Sequence, residues 1–126
     1  MMSQDWVIET QAVTRRFRSI TAVSNLSLRI QRGEIFGLVG PDGAGKTTTI
    51  RLLAAILDPD EGRANVVGFD TVQAPESIKR HIGYMAQRFN LYGDLTVSEN
   101  LNFFADLFEM SGSARTAQIE RLLAFA

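Results

Sequence analysis

No cysteine occurs in the 126 residues, which excludes a disulfide framework, a thiolate metal site and a thiol nucleophile, and suits a reducing compartment. One histidine is too few for a metal cage built from imidazoles. Excess charge is lacking as well: 13 Lys and Arg against 14 Asp and Glu leave a formal net charge of −1, with no basic field able to neutralise a row of phosphates. Nucleic acid is therefore not expected as the main partner. Long apolar runs are also missing. The stretch "LLAAIL" at residues 52–57 is typical, and it falls well short of the roughly 18 to 20 residues that cross a bilayer. The opening "MMSQDWVIETQ" has no basic region followed by an apolar one, so a cytosolic location is expected rather than secretion. No internal repeat, low-complexity tract or linker interrupts the chain, and 45% hydrophobic residues suffice for the core of one domain at most.

Hydrophobic patterning orders the elements. Alternation predicts half-buried strands in "WVIETQAV" and in "VSNLSLRI", residues 23–30, with Val23, Leu26, Leu28 and Ile30 as the apolar set of the second. After the turn "QRGE", the continuous run "IFGLVG" at residues 35–40 predicts a strand buried on both faces. Ile50, Leu53, Ala54 and Leu57 form the stripe of a helix that Asp58 and Pro59 should end. "DPDEG" reads as a turn, "RANVVGF" as a short strand, residues 75–80 as a brief helix with proline in its first turn, and "HIGYMAQ" as another buried strand. "TVSE" fits a capping box, with Thr96 as N-cap and Glu99 reaching back; Val97, Leu101, Phe104, Ala105 and Phe108 make the stripe of the helix it opens. A last helix begins near Ser113, read as its cap, with Ile119, Leu122, Leu123 and Ala126 on one face. Strands alternating with helices imply an α/β class with a largely parallel sheet.

Between the third predicted strand and the first helix stand Gly40, Pro41, Asp42, Gly43, Ala44, Gly45, Lys46 and Thr47, which match the phosphate-loop pattern G-x-x-x-x-G-K-[ST] in its required context. Glycines let successive N–H groups turn inward on an anion, and the lack of Cβ admits phosphate oxygens closely. The helix adds the positive end of its dipole and its unpaired first amides. Lys46 supplies a full charge to the terminal phosphates, the Thr47 hydroxyl can ligate Mg²⁺, and the Thr48 amide can reach a phosphate nearer the base. The bland alternative is a glycine-rich turn joining strand to helix. Asp42 would repel an anion, so its side chain is expected to face solvent.

A phosphate loop alone does not choose among kinases, GTPases, helicases and transporters. Two strands precede the loop, and neither an N-K-x-D nor a D-x-x-G motif stands at a suitable place. Through "VTRRF", the run from "AVSNLSLRI" to "VVGFD", and "IGYMAQRFNLYGDLTVSENL", the sequence resembles the ATP-binding domain of ABC transporters along nearly its whole length. The likeness is strongest to drug-exporter ATPases with ABC-2 membrane domains. The resemblance implies a phosphate-loop NTPase fold of the ABC ATPase type, with a small antiparallel β subdomain first and the start of a helical subdomain last. It implies ATP and Mg²⁺ as ligands and two cassettes clamped head to tail, at the inner face of the membrane. Residues 1–88 would hold the β subdomain and phosphate-loop core, and residues 89–126 the start of the helical part.

By the same resemblance Phe17 takes the place of the aromatic that stacks on adenine, against the alternative of a core phenylalanine at a strand end. Gln87 takes the place of the glutamine that touches Mg²⁺ and the attacking water, against that of a solvent-facing loop residue. Residues 89–96, with Phe89, Leu91 and Tyr92, resemble the segment that receives a helix of the membrane domain, although core packing also explains such residues. His81 is read as structural. The family's acidic strand end, hydrolytic glutamate and downstream histidine are not found, nor is "LSGGQ"; "MSGSAR" at residues 110–115 is read as a turn between helices. No catalytic residue is therefore assigned, and the chain is expected to be the front of a longer, transport-coupled ATPase, itself nearly inactive. A non-hydrolytic docking module and another phosphate-loop enzyme are the other readings.

Overall fold

The computed structural model describes residues 5–88 and 91–125. They belong to two compact units, Met1–Tyr84 and Met85–Ala126.

The first unit is organised by β1 (Trp6–Phe17), a strand rich in β-branched and aromatic residues. It pairs with β2 (Ile20–Leu26) and β3 (Arg29–Gln31), and with β4 (Glu61–Val66), which closes a hairpin on β5 (Phe69–Asp70). Every ladder is antiparallel, so the largely parallel sheet expected from the alternation of elements is not found among the described residues. Val67 and Gly68 between β4 and β5 have φ of 48° and 85°, the left-handed pair of a two-residue hairpin turn. The strand expected over residues 23–30 is split, because side chains replace its ladder at the break. The Thr10 hydroxyl accepts from Leu28 N–H at 2.9 Å and donates to the Leu26 carbonyl at 3.0 Å, while Ser27 Oγ accepts from Ala12 N–H at 2.9 Å.

Helix α1 (Lys46–Leu53) packs on this sheet through Leu52, which joins Val13, Val23 and Ala64 in one buried cluster. A second cluster unites Ala55, Val66 and Ile78, the last from α2 (Pro75–Lys79), which has proline in its first turn as expected. The stripe expected on α1 is displaced: Leu52 is 2% exposed whereas Ile50 is 44% exposed. The helix also ends at Leu53, before Asp58, because Ala55 turns to φ 61°. Residues 35–40 and 81–87, both expected as buried strands, form no ladder with any described residue. Ile35, Val39 and Met85 are more than nine-tenths exposed. A parallel strand is stable only with a neighbour about 4.8 Å away on its hydrogen-bonding edge, and none is present among the described residues.

In the second unit, α3 (Val97–Leu107) begins with the expected capping box: Thr96 Oγ1 accepts from Glu99 N–H at 3.0 Å and Glu99 Oε1 from Thr96 N–H at 2.8 Å. Ala105 is buried and Leu101 and Phe104 half-buried, but Val97 and Phe108, placed on the same stripe, are exposed. Helix α4 (Gly112–Phe125) starts one residue before Ser113, which therefore sits within its first turn and not at the cap. None of its described residues is fully buried, Ile119 being half-buried and Leu122 and Leu123 exposed; Ala126 lies outside the described residues. Arg115 ties the two helices, donating to Asp106 Oδ1 and to the Asn102 carbonyl and side-chain oxygen.

Candidate functional site

The phosphate-loop motif forms a compact turn that runs into α1. Ala44 N–H donates to the Pro41 carbonyl at 3.1 Å, and Gly43 and Gly45 have φ of 82° and 92°. Gly45 is the N-cap, no side chain caps the helix, and no acidic residue occupies its first turn. The first intrahelical bond is Thr49 N–H to the Gly45 carbonyl at 2.9 Å. The amides of Lys46, Thr47 and Thr48 thus have no acceptor within the helix and project from its positive end.

Packing fixes where this end lies. A Cβ on Gly45 would fall far inside van der Waals contact with the Ala22 carbonyl oxygen and 3.5 Å from Val23 Cγ2. Ala22 is the bulged residue of β2: Arg15 pairs with Val23 and the next residue, Arg16, with Thr21. The loop is therefore pressed against the sheet at a point where only glycine fits. Gly40 is close to Ala44, whose Cβ would be 3.2 Å from a Cβ placed there.

Lys46 folds back over the loop, its ammonium donating to the Gly40 carbonyl and, at 2.8 Å, to that of Pro41. Thr47 is exposed and its hydroxyl has no partner among the described residues, unlike Thr49, whose hydroxyl donates to the Gly45 carbonyl at 2.8 Å. Asp42 is exposed. The donor set is one of amides, one ammonium and one hydroxyl, which fits a polyphosphate carrying Mg²⁺: a hard cation that keeps phosphate and water ligands. Among the described residues no cluster of three or more His, Asp or Glu could hold a metal by itself.

Phe17 ends β1 and pairs with Ile20, two residues from the Ala22 carbonyl that abuts Gly45. It is 40% exposed, not a core residue, and the Arg15 guanidinium lies over its ring at 4.7 Å from the centroid. Arg15 was not singled out by the sequence, although its place two residues before Phe17 puts it on the same strand face. The Ala22 contact is tertiary and has no sequence signal. His81 Nδ1 donates to the Ser77 carbonyl, 2.7 Å away, and its ring lies 5.7 Å from that of Phe69, in keeping with a structural role.

The remaining candidates belong to the second unit. Gln87 is exposed, outside any helix or strand. Of the segment 89–96, Phe89 lies outside the described residues; Leu91 and Tyr92 are 49% and 48% exposed. The turn they lead into is held by Asn100, a buried α3 residue that sequence reasoning passed over. Its side chain accepts from Tyr92 N–H at 3.0 Å and donates to the carbonyls of Tyr92 and Thr96 at 3.1 and 2.9 Å. An amide side chain inside a helix favours backbone partners, which is the signal that could have marked it. Tyr92 also meets Phe103 edge to face, ring centroids 5.0 Å apart. Among the described residues no helix is long and apolar enough to cross a membrane.

Comparison with known proteins agrees with this geometry. A family model described as ABC transporter matches residues 23–125. The chain is 42% identical to the probable multidrug ABC transporter ATP-binding protein YbhF of Escherichia coli (strain K12), over 92% of its own length and 20% of that protein's. It is 40% identical to the ABC transporter ATP-binding protein NatA of Bacillus subtilis (strain 168), with shares of 86% and 46%, and 40% identical to the Nod factor export ATP-binding protein I of Burkholderia pseudomallei (strain 1710b), with shares of 94% and 39%. It thus spans less than half the length of these curated relatives. Among solved structures, an ATP-binding cassette described as a dimeric post-hydrolysis state bound to ADP and Pi superposes with a TM-score of 0.78 at 26% identity, over 93% of this chain and 56% of that one. The ATP-binding subunit of an ABC transporter superposes with a TM-score of 0.74 at 26% identity, over 85% and 45%. Loop, hairpin and helix pair are features of this match, and the chain belongs to the ABC transporter ATP-binding domain family.

Proposed function

We propose that the chain forms the ATP-binding part of an ABC exporter ATPase subunit. The observation that carries this reading is Gly45, pinned by the Ala22 carbonyl at the N-cap of α1, so that the free amides of Lys46, Thr47 and Thr48 converge with the Lys46 ammonium on one loop. Free amides of the loop between Gly40 and Thr48, above all those of Lys46, Thr47 and Thr48, hold the phosphates, and Lys46 leaves its carbonyl partners to pair with the terminal ones. Thr47 would ligate Mg²⁺, which when bound neutralises charge on the outer phosphates, and Gln87, in the second unit, is given a metal contact by the family resemblance alone. Phe17 stacks on the adenine ring. This chain's groups bind and orient the nucleotide; the hydrolytic carboxylate and the signature sequence are not among its residues.

Export is supported by the relatives named for multidrug transport and Nod factor export. In the full-length protein two cassettes close head to tail on two nucleotides, at the cytoplasmic face of the membrane. The segment 89–96, in which Asn100 holds Tyr92 and Thr96, meets the transmembrane domain and passes on that closure. Substituting Lys46→Ala in the full-length protein is expected to abolish ATP turnover, because removal of the sole formal cation in the loop leaves the terminal phosphate charge unbalanced. Steady-state phosphate release is the measurement, and wild-type turnover in that variant would remove Lys46 from its role.

A further inference from the structure

Arg15 and Phe17 sit two residues apart on β1, so the alternation of the strand sets both side chains on one face. The guanidinium carbon lies 4.7 Å from the Phe17 ring centroid, within cation–π range. One terminal nitrogen donates to the Asp58 carbonyl at 2.7 Å, beyond the end of α1. Its Nε is buried and has no partner among the described residues. An unpaired N–H in that position is unfavourable, a cost that the ring contact and the Asp58 bond offset. Phe17 has one face beneath this cation and is 40% exposed.

We propose that Arg15 is a positioning residue for purine recognition: by stacking on one face of Phe17 and anchoring to Asp58, it fixes the ring and leaves its other face as the platform for the base. This inference rests on the adenine-stacking reading of Phe17. Two physical effects favour it. A ring already immobilised loses less rotamer freedom when the base arrives. The cation also draws π density toward itself, which lowers the repulsion between the ring's outer face and the negative face of a second π system. The placement agrees, since Arg15 pairs in register with Val23, whose Cγ2 faces Gly45 at the phosphate end of the site. The one hydrogen bond of the Arg15 side chain among the described residues runs to Asp58 and not to the phosphate loop.

The test compares the affinities of Mg-ATP and magnesium inorganic triphosphate in the full-length protein. Arg15→Met keeps the stem and removes the planar cation; it is expected to weaken Mg-ATP roughly threefold to tenfold and leave triphosphate unchanged. Arg15→Lys keeps charge and stem but not the flat stacking surface, and is expected to give a smaller loss with the same selectivity, which provides a second reading if the methionine variant does not fold. In a Phe17→Ala background, Arg15→Met is expected to add nothing. Equal losses for both ligands would assign Arg15 to the phosphates or to general stability and overturn the proposal. So would a selective loss in Phe17→Ala with both Arg15 variants silent, which sinks this inference alone. Undiminished Mg-ATP affinity in Phe17→Ala would remove the stacking reading and this inference with it.

Discussion

Gly45 and Gly43 both adopt left-handed backbone, but they differ in what surrounds them. Nothing lies within 4 Å of a Cβ placed on Gly43, whereas on Gly45 it would overlap the Ala22 carbonyl. Gly43→Ala should therefore cost only the conformational preference, about 1 to 2 kcal/mol. Gly45→Ala adds an overlap with backbone that cannot rotate away, so the loop must leave the sheet. Thermal unfolding and Mg-ATP titration of the two full-length variants are expected to rank Gly45→Ala as clearly the more damaging; equal effects would mean that the contact with β2 does not hold the loop. The need for glycine at both positions is legible from the motif spacing. The reason for the second is not, because it depends on a bulge in a strand more than twenty residues earlier. Arg15 escaped notice similarly, since an arginine in "VTRRF" reads as a solvated side chain until the ring beside it is seen.

Helix starts that depend on a few neighbouring residues were legible. Thr96 and Glu99 exchange the two bonds that "TVSE" implies, and Pro75 opens α2. Removing the cap with Thr96→Ala leaves the Glu99 amide unpaired and is expected to destabilise the first turn of α3 by about 1 kcal/mol, seen as faster amide exchange at residues 97–100. Unchanged exchange there would show that the packing of Asn100 alone holds the turn. Features that depend on what an element packs against were read less well. The buried face of α1 is selected by the sheet, which takes Leu52 and leaves Ile50 outside. The runs 35–40 and 81–87 have the composition of buried strands, yet composition does not supply the neighbour that a strand needs, and no described residue pairs with them.

On the scale of the whole molecule, the exposed apolar runs, the single phosphate loop and the coverage of less than half of the curated relatives describe one part of an ABC cassette. On the proposed reading, what that part brings to the family's chemistry is a seat for the nucleotide, built where the sheet and α1 meet. The family was legible because its motifs are local and stand in order along the chain. The seat was not, because its walls come from β2 and from the loop, which meet only on folding. The most direct measurement of the central claim is calorimetric titration of Mg-ATP into the full-length protein. One saturable binding event per cassette is predicted, lost or much weakened by Lys46→Ala. No heat at millimolar Mg-ATP with a folded protein, or undiminished binding in that variant, would contradict it.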